Sequence, residues 1–132
     1  MRKMNRAAAL AAAGLAVLAL AATALAAGPG ETVKVKSEVT LTASGYSGKV
    51  KAKNSNCVGE RIVVLKQVGN GVLSRVESKA SGSWTADLEE LNEKIKLPAK
   101  VFAEVKPMTQ ATAGPIYKCL AAKSKTVTIS GG

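Results

Sequence analysis

Residues Glu60–Trp84 read ERIVVLKQVGNGVLSRVESKASGSW, and the order of strand and turn signals in this segment predicts the fold class. Ile62–Leu65 is a run of β-branched and aliphatic residues that is too short for a buried helix. The glycines on either side of Asn70 supply the positive φ angles of a tight hairpin turn, after which an apolar strand resumes at Val72. Ser81–Ser83 is a second turn signal, followed by alternating apolar residues. Together these signals predict an antiparallel meander of three strands.

Alternation of apolar and polar residues predicts more strands on both sides of this segment. The predicted strands are Thr32–Lys36 and Glu38–Ala43 (one strand, or two broken near Ser37), Tyr46–Lys53, Ala99–Lys106, Ile116–Leu120 and Ser124–Ile129. Helical spacing of apolar residues in Leu88–Leu97 favours one or two helical turns, and Pro107–Pro115 is expected to be a loop. Trp84 is expected in the core. The chain is therefore predicted to be all-β, with an antiparallel β-sandwich of about seven strands.

The N-terminal region predicts export. Three basic residues precede an Ala-rich apolar run, and Ala24–Ala26 is an A-x-A cleavage signature. We expect a signal peptide at residues 1–26, cleaved between Ala26 and Ala27, and a β-sandwich domain at residues 27–132. The alternative is an uncleaved N-terminal anchor, because the apolar run is just long enough to span a bilayer.

The chain is basic, which is compatible with anionic partners. The 132-residue chain has a formal net charge of +10, and removal of the three basic residues of the leader lowers it to +7. Lys49, Lys51 and Lys53 lie on one face of a predicted strand, so they are candidate contacts to an anionic surface. The partner is left open, and the candidates are anionic cell-envelope polymers and another extracellular protein. Nucleic acid is not expected, because export and an aromatic content of 3% argue against it. Solubility alone is the preferred interpretation of the positive charge, because the lysines are scattered along the chain rather than grouped in one block.

Cys57 and Cys119 are the two cysteines, and in an exported chain they predict one disulfide. The chain has no histidine, which excludes Ser-His-Asp and Cys-His catalysis, and two cysteines alone do not make a usual zinc site. Glu89, Glu90 and Glu93 could supply a carboxylate pair, but charges opposite an apolar stripe are typical of a solvated helix face. A Ser-Lys dyad stays open. We expect no metal, no cofactor and no enzymatic activity.

Several short motifs also occur in a characteristic order. They are Gly48-Lys49-Val50, Cys57, Arg61 followed by Ile62-Val63-Val64-Leu65, Gly82-Ser83-Trp84, Tyr117-Lys118-Cys119 and Ser124-Lys125-Thr126-Val127-Thr128-Ile129. This order resembles secreted β-sandwich domains of actinobacterial type, immunoglobulin-like or transthyretin-like. Such domains often carry Thr-Asp ahead of the G-x-W turn, where this chain has Ser78-Lys79. The resemblance covers most of the mature chain, and it implies a disulfide-tied extracellular module without catalytic residues.

The expected function is that of a secreted, non-catalytic structural or binding module of the extracellular space or cell envelope. One alternative is a small secreted enzyme or enzyme inhibitor, which needs a pocket with clustered Ser, Lys and Glu side chains. The other is a binder of anionic cell-wall material through the lysine-rich face, which predicts retention that salt removes.

Overall fold

A computed structural model of the chain describes residues 29–130. Within this range the protein is mostly β, which confirms the predicted all-β class. The strands are β1 Thr32–Val35, β2 Ser37–Leu41, β3 Ser47–Ala52, β4 Ile62–Gln67, β5 Gly71–Glu77, β6 Ser83–Thr85, β7 Ala99–Val105, β8 Met108–Ala111, β9 Ile116–Cys119, β10 Ala122–Lys123 and β11 Val127–Ile129. One helix, α1, spans Leu88–Lys94 in this range, and a 3-10 turn spans Ser55–Cys57. The predicted signal peptide at residues 1–26 and its cleavage point lie outside the described residues.

The strands form three sheets. The first has the order β1-β9-β8, the second β2-β3-β6, and the third β10-β7-β4-β5, with β11 also pairing with β7. All pairs are antiparallel except β1 and β9, which run parallel with Thr32 opposite Ile116. Thus the prediction of a purely antiparallel protein was wrong for this pair, because strand alternation does not report the direction of the partner strand.

The segment Glu60–Trp84 does not form a three-stranded meander. The β4–β5 hairpin forms as predicted, but β6 pairs with β3 in the second sheet, where Trp84 lies opposite Gly48. The chain crosses between the sheets at residues 78–82, and the carbonyl oxygen of Gly82 accepts a hydrogen bond from Val50 N at 2.7 Å. The crossover places the Trp84 side chain in the core, where it is 2% exposed, which confirms its predicted burial.

The main core lies between the second and third sheets. Its buried members from the second sheet are Val39, Val50 and Trp84, and those from the third are Val63, Leu65, Leu73, Ala99, Val101, Ala103 and Val105. Ala86 and Leu91 complete it from the chain after β6. A second, smaller core consists of Val35 and the two cysteines, with Val33, Ala52, Met108 and Tyr117 packed against it. The first sheet is therefore anchored mainly through the disulfide region.

Eleven strands are described where about seven were expected, because short edge strands have little pattern of their own. Strand β8 lies inside the predicted loop Pro107–Pro115, and three of its four residues are exposed. The predicted strand Ser124–Ile129 is broken at its start, because Ser124 bonds to Ala103 through both its backbone N–H and its hydroxyl oxygen, each at 2.8 Å. Short edge strands are recognised by their hydrogen-bonded partner strand and not by an alternation of apolar and polar residues in their own sequence.

The predicted helical turns at residues 88–97 form as α1 over a shorter range. Asp87 caps the helix by accepting a hydrogen bond from Glu90 N at 3.2 Å, and Lys94 pairs with Glu90 at 3.0 Å. Leu91 is buried, whereas Leu88, which was expected on the same apolar stripe, is 48% exposed. The helix therefore contacts the core through a single turn, and its carboxylates lie on the solvent side.

Candidate anion-binding site

A cleft of about 820 Å³ lies between β1 and the C-terminal end of β3. Four exposed lysines line it, and we call it the basic cleft. Lys34 lies in β1 and Lys36 directly after it, whereas Lys51 lies in β3 and Lys53 directly after that strand. A lysine ammonium group has three hydrogen-bond donors and no acceptor, so it binds phosphate, sulfate or carboxylate oxygens. The arrangement therefore suits an anionic ligand.

Strand alternation explains why the lysines of each strand reach solvent. In β3, Val50 is 1% exposed, and Lys49 and Lys51 on either side of it are exposed. In β1, Val35 is buried and Lys34 is exposed. Because successive side chains of a strand point to opposite faces, burial of the valines directs the lysines outward.

Apolar residues also line the basic cleft, namely Val33, Val35, Ala52 and Tyr117. These residues belong to the smaller core, where Cys57 and Cys119 form a buried disulfide with a Cα–Cα distance of 5.4 Å. This bond confirms the predicted pairing. A half-buried tyrosine that lines the same cleft as the lysines offers an apolar contact to the carbon skeleton of a sugar or polyol, while the lysines bind its charged groups.

The basic cleft carries an excess of positive charge. Glu38 is the acidic residue among its lining residues, and it lies opposite Lys51 in the β2–β3 register. The ion pairs of residues 29–130 are formed by Lys66 and Lys106 with Glu104, and by Lys94 with Glu90. None of these pairs includes a lysine of the basic cleft, so the four ammonium groups stay available to an anion from solution.

A buried arginine joins the elements that carry the cleft. Arg61 is 0% exposed, and its guanidinium donates four hydrogen bonds. The acceptors are Ser37 Oγ at 2.8 Å, Cys57 O at 2.7 Å, Lys106 O at 2.8 Å and Leu120 O at 3.0 Å. Burial away from water lowers the pKa of Arg61. Because its acceptors lie at the start of β2, in the 3-10 turn, and just after β7 and β9, this side chain links all three sheets.

The structure brings together two of the three lysines predicted as anion contacts. Lys51 and Lys53 line the basic cleft, whereas Lys49 is exposed farther along β3, opposite Thr40. Lys34 and Lys36 were not predicted as site residues. The alternation Lys34-Val35-Lys36 was visible in the sequence, but nothing in it indicated that these lysines line the same cleft as Lys51.

The described part of the chain places no group of three or more His, Cys, Asp or Glu residues where they could hold a metal ion. Within residues 29–130, no helix is long and apolar enough to cross a membrane. Comparison of the chain with protein-family models, with curated proteins and with solved structures finds no match. The basic cleft is therefore the feature from which a function can be inferred.

Proposed function

We propose that the protein is a secreted, non-catalytic binding module whose basic cleft binds anionic polymers of the cell envelope. The observation that carries this proposal is that four exposed lysines, free of ion pairs in the described residues, line one cleft together with apolar residues. The lysines supply charge recognition, and the apolar lining residues supply contact to uncharged parts of the polymer.

We further propose that the fold is a β-sandwich of immunoglobulin-like or transthyretin-like type. The proposal is supported by the main core, to which Val39, Val50 and Trp84 contribute from the second sheet and Val63 and Val101 from the third. In a sandwich, the inner faces of two packed sheets share one core in this way.

Export of the protein is supported by the Cys57–Cys119 disulfide, since such bonds persist in oxidising compartments. The intact mass of the protein recovered from a culture of its host tests this part of the proposal. We expect a mature chain that begins at Ala27 and lacks the two thiol hydrogens until reductant is added. A full-length mass with free thiols would show that the chain is not exported and cleaved.

Binding is tested by retention of the purified protein on isolated cell-envelope material. We expect the protein to be retained at low salt and released as the ionic strength increases, because salt screens the exposed charges. The double variant Lys51→Gln, Lys53→Gln should be released at clearly lower salt. The matched control is Arg75→Gln, Lys79→Gln, which removes two exposed charges from β5 and the turn after it. Equal release of the two variants would reject the basic cleft as the binding site.

The serine side chains that line the clefts of the described residues give less support to the alternative, a small secreted enzyme. A Ser-Lys dyad requires a hydroxyl group that is free to react. Ser37 Oγ accepts a hydrogen bond from Arg61, and Ser124 Oγ donates one to the carbonyl oxygen of Lys125 at 2.8 Å. Both hydroxyl groups therefore have structural partners, which favours the binding module over a hydrolase.

A further inference from the structure

A second cleft, of about 510 Å³, lies along strand β2, between that strand and the segment Ala122–Lys125. Lys123 and Lys125 line it, and we call it the distal cleft. Both lysines are exposed, and Lys123 Nζ lies 5.7 Å from the centroid of the Phe102 ring. Neither lysine takes part in the ion pairs of residues 29–130, so the distal cleft also presents unpaired positive charge.

The two clefts adjoin at strand β2, because Glu38 lines both of them. The strand has five residues, which corresponds to a length of about 17 Å at a rise of ~3.3 Å per residue. Six lysines thus line two clefts that share Glu38, four in the basic cleft and two in the distal cleft.

We propose that the basic and distal clefts form one groove along β2, which binds a linear polyanion in both clefts at once. This inference rests on the proposed function and narrows its ligand to a chain with repeated anionic groups, such as phosphates or carboxylates. A small anion fits within one cleft and leaves the other empty. A chain that occupies the first cleft presents its next charged groups to the second at high effective concentration, which raises its affinity.

The shape of the site favours a chain over a lipid surface. Both clefts are recesses that adjoin at one strand, and the lysines line these recesses. A flat bilayer contacts the rims of such recesses, whereas a single chain enters them and brings its charges close to each ammonium group. Glu38, at the junction, repels any polyanion that passes along β2.

The proposal is tested by binding of fluorescently labelled protein to tripolyphosphate and to long-chain inorganic polyphosphate, with affinities expressed per chain. We expect the long chain to bind more tightly and with a steeper dependence on salt, because the slope reports the number of cation contacts. Lys123→Gln, Lys125→Gln should lose about tenfold in affinity for the long chain, the order expected for two exposed ion pairs. Glu38→Gln should gain affinity for the long chain, and Arg75→Gln, Lys79→Gln should change it little.

The outcomes separate this inference from the proposed function. If Lys51→Gln, Lys53→Gln weakens binding of both polyphosphates while the distal variant changes neither affinity nor salt slope, the single groove is rejected and the basic cleft stands. If no variant differs from the Arg75, Lys79 control, both proposals fail. Binding to vesicles that contain phosphatidylglycerol completes the test. If the protein binds these vesicles as tightly as long-chain polyphosphate, and Lys123→Gln, Lys125→Gln weakens both equally, the proposal of a linear ligand is rejected.

Discussion

Arg61 donates a hydrogen bond from Nη1 to the carbonyl oxygen of Cys57 at 2.7 Å, in a site that solvent does not reach. Its guanidinium contacts neutral acceptors only, three backbone carbonyl groups and the hydroxyl of Ser37. Burial of a cation without a carboxylate is costly, and these four hydrogen bonds offset part of that cost, while Arg61 Nε has no partner among the described residues. Arg61 and the disulfide therefore hold the same region of the protein.

Replacement of Arg61 by methionine should lower the free energy of unfolding by about 4 kcal/mol, because three buried carbonyl groups lose charged donors at once. Arg61→Lys keeps the charge but lacks the planar fork of donors, so we expect a loss of about 2 kcal/mol. Urea denaturation followed by Trp84 fluorescence measures both. Arg75→Met, at an exposed position, is the control and should change stability by less than ~0.5 kcal/mol. Equal losses at Arg61 and Arg75 would contradict the linking role.

Removal of the disulfide by Cys57→Ser, Cys119→Ser should cost about 4 kcal/mol, because the bond closes a chain separation of 62 residues in the unfolded state. The same urea denaturation measures the loss. Reductant should destabilise the native protein by a similar amount and leave the double variant unchanged. A double variant as stable as the oxidised protein would show that the bond adds nothing to the fold.

Glu104 should make stability depend on acid pH. A hydrogen bond from Lys66 is the main cause that lowers the pKa of Glu104 below its ordinary value of 4.5, and the charges of Lys106 and Lys66 act in the same direction. Since the pKa is lower in the folded state, the carboxylate stabilises the protein above pH 4.5, and this stabilisation is lost as the pH falls through the folded value.

We therefore expect Glu104→Gln to be less stable than the native protein at neutral pH, with a difference that shrinks on acidification below pH 4.5. Urea denaturation at a series of pH values measures this. Glu89→Gln, on the exposed side of α1, is the matched control. A difference between Glu104→Gln and the native protein that is constant with pH would disprove the linkage.

Gly82 should not tolerate a side chain. Its φ angle is +94°, and a Cβ atom there would collide with the carbonyl oxygen of Val50 in the crossover between the sheets. Gly82→Ala should cost about 2 kcal/mol through strain in this backbone region. Gly69→Ala is the control, since Gly69 has a φ angle of +81° but open space around it. Thermal denaturation should show the larger loss for Gly82, and equal losses would mean that the crossover yields without strain.

The predictions that succeeded depend on information carried by a single segment. The alternation in Ala99–Val105 reports which residues of that strand face the core, and Gly69-Asn70-Gly71 reports a turn. The disulfide was predictable because the chain has two cysteines, each of which has only the other as a partner. In the first two cases the residues that specify the feature are neighbours in sequence. In the third, no other cysteine is present that could form a bond with either member of the pair.

The amino-acid sequence by itself determined the β class, the first hairpin, the burial of Trp84 and the Cys57–Cys119 bond. Only the tertiary structure decided that β6 joins β3, that Lys34 and Lys51 line the same cleft, and that Arg61 reaches a carbonyl group 59 residues away. The physical reason is that periodicity describes the two faces of one strand, whereas pairing partners and clefts depend on contacts between strands that are distant along the chain.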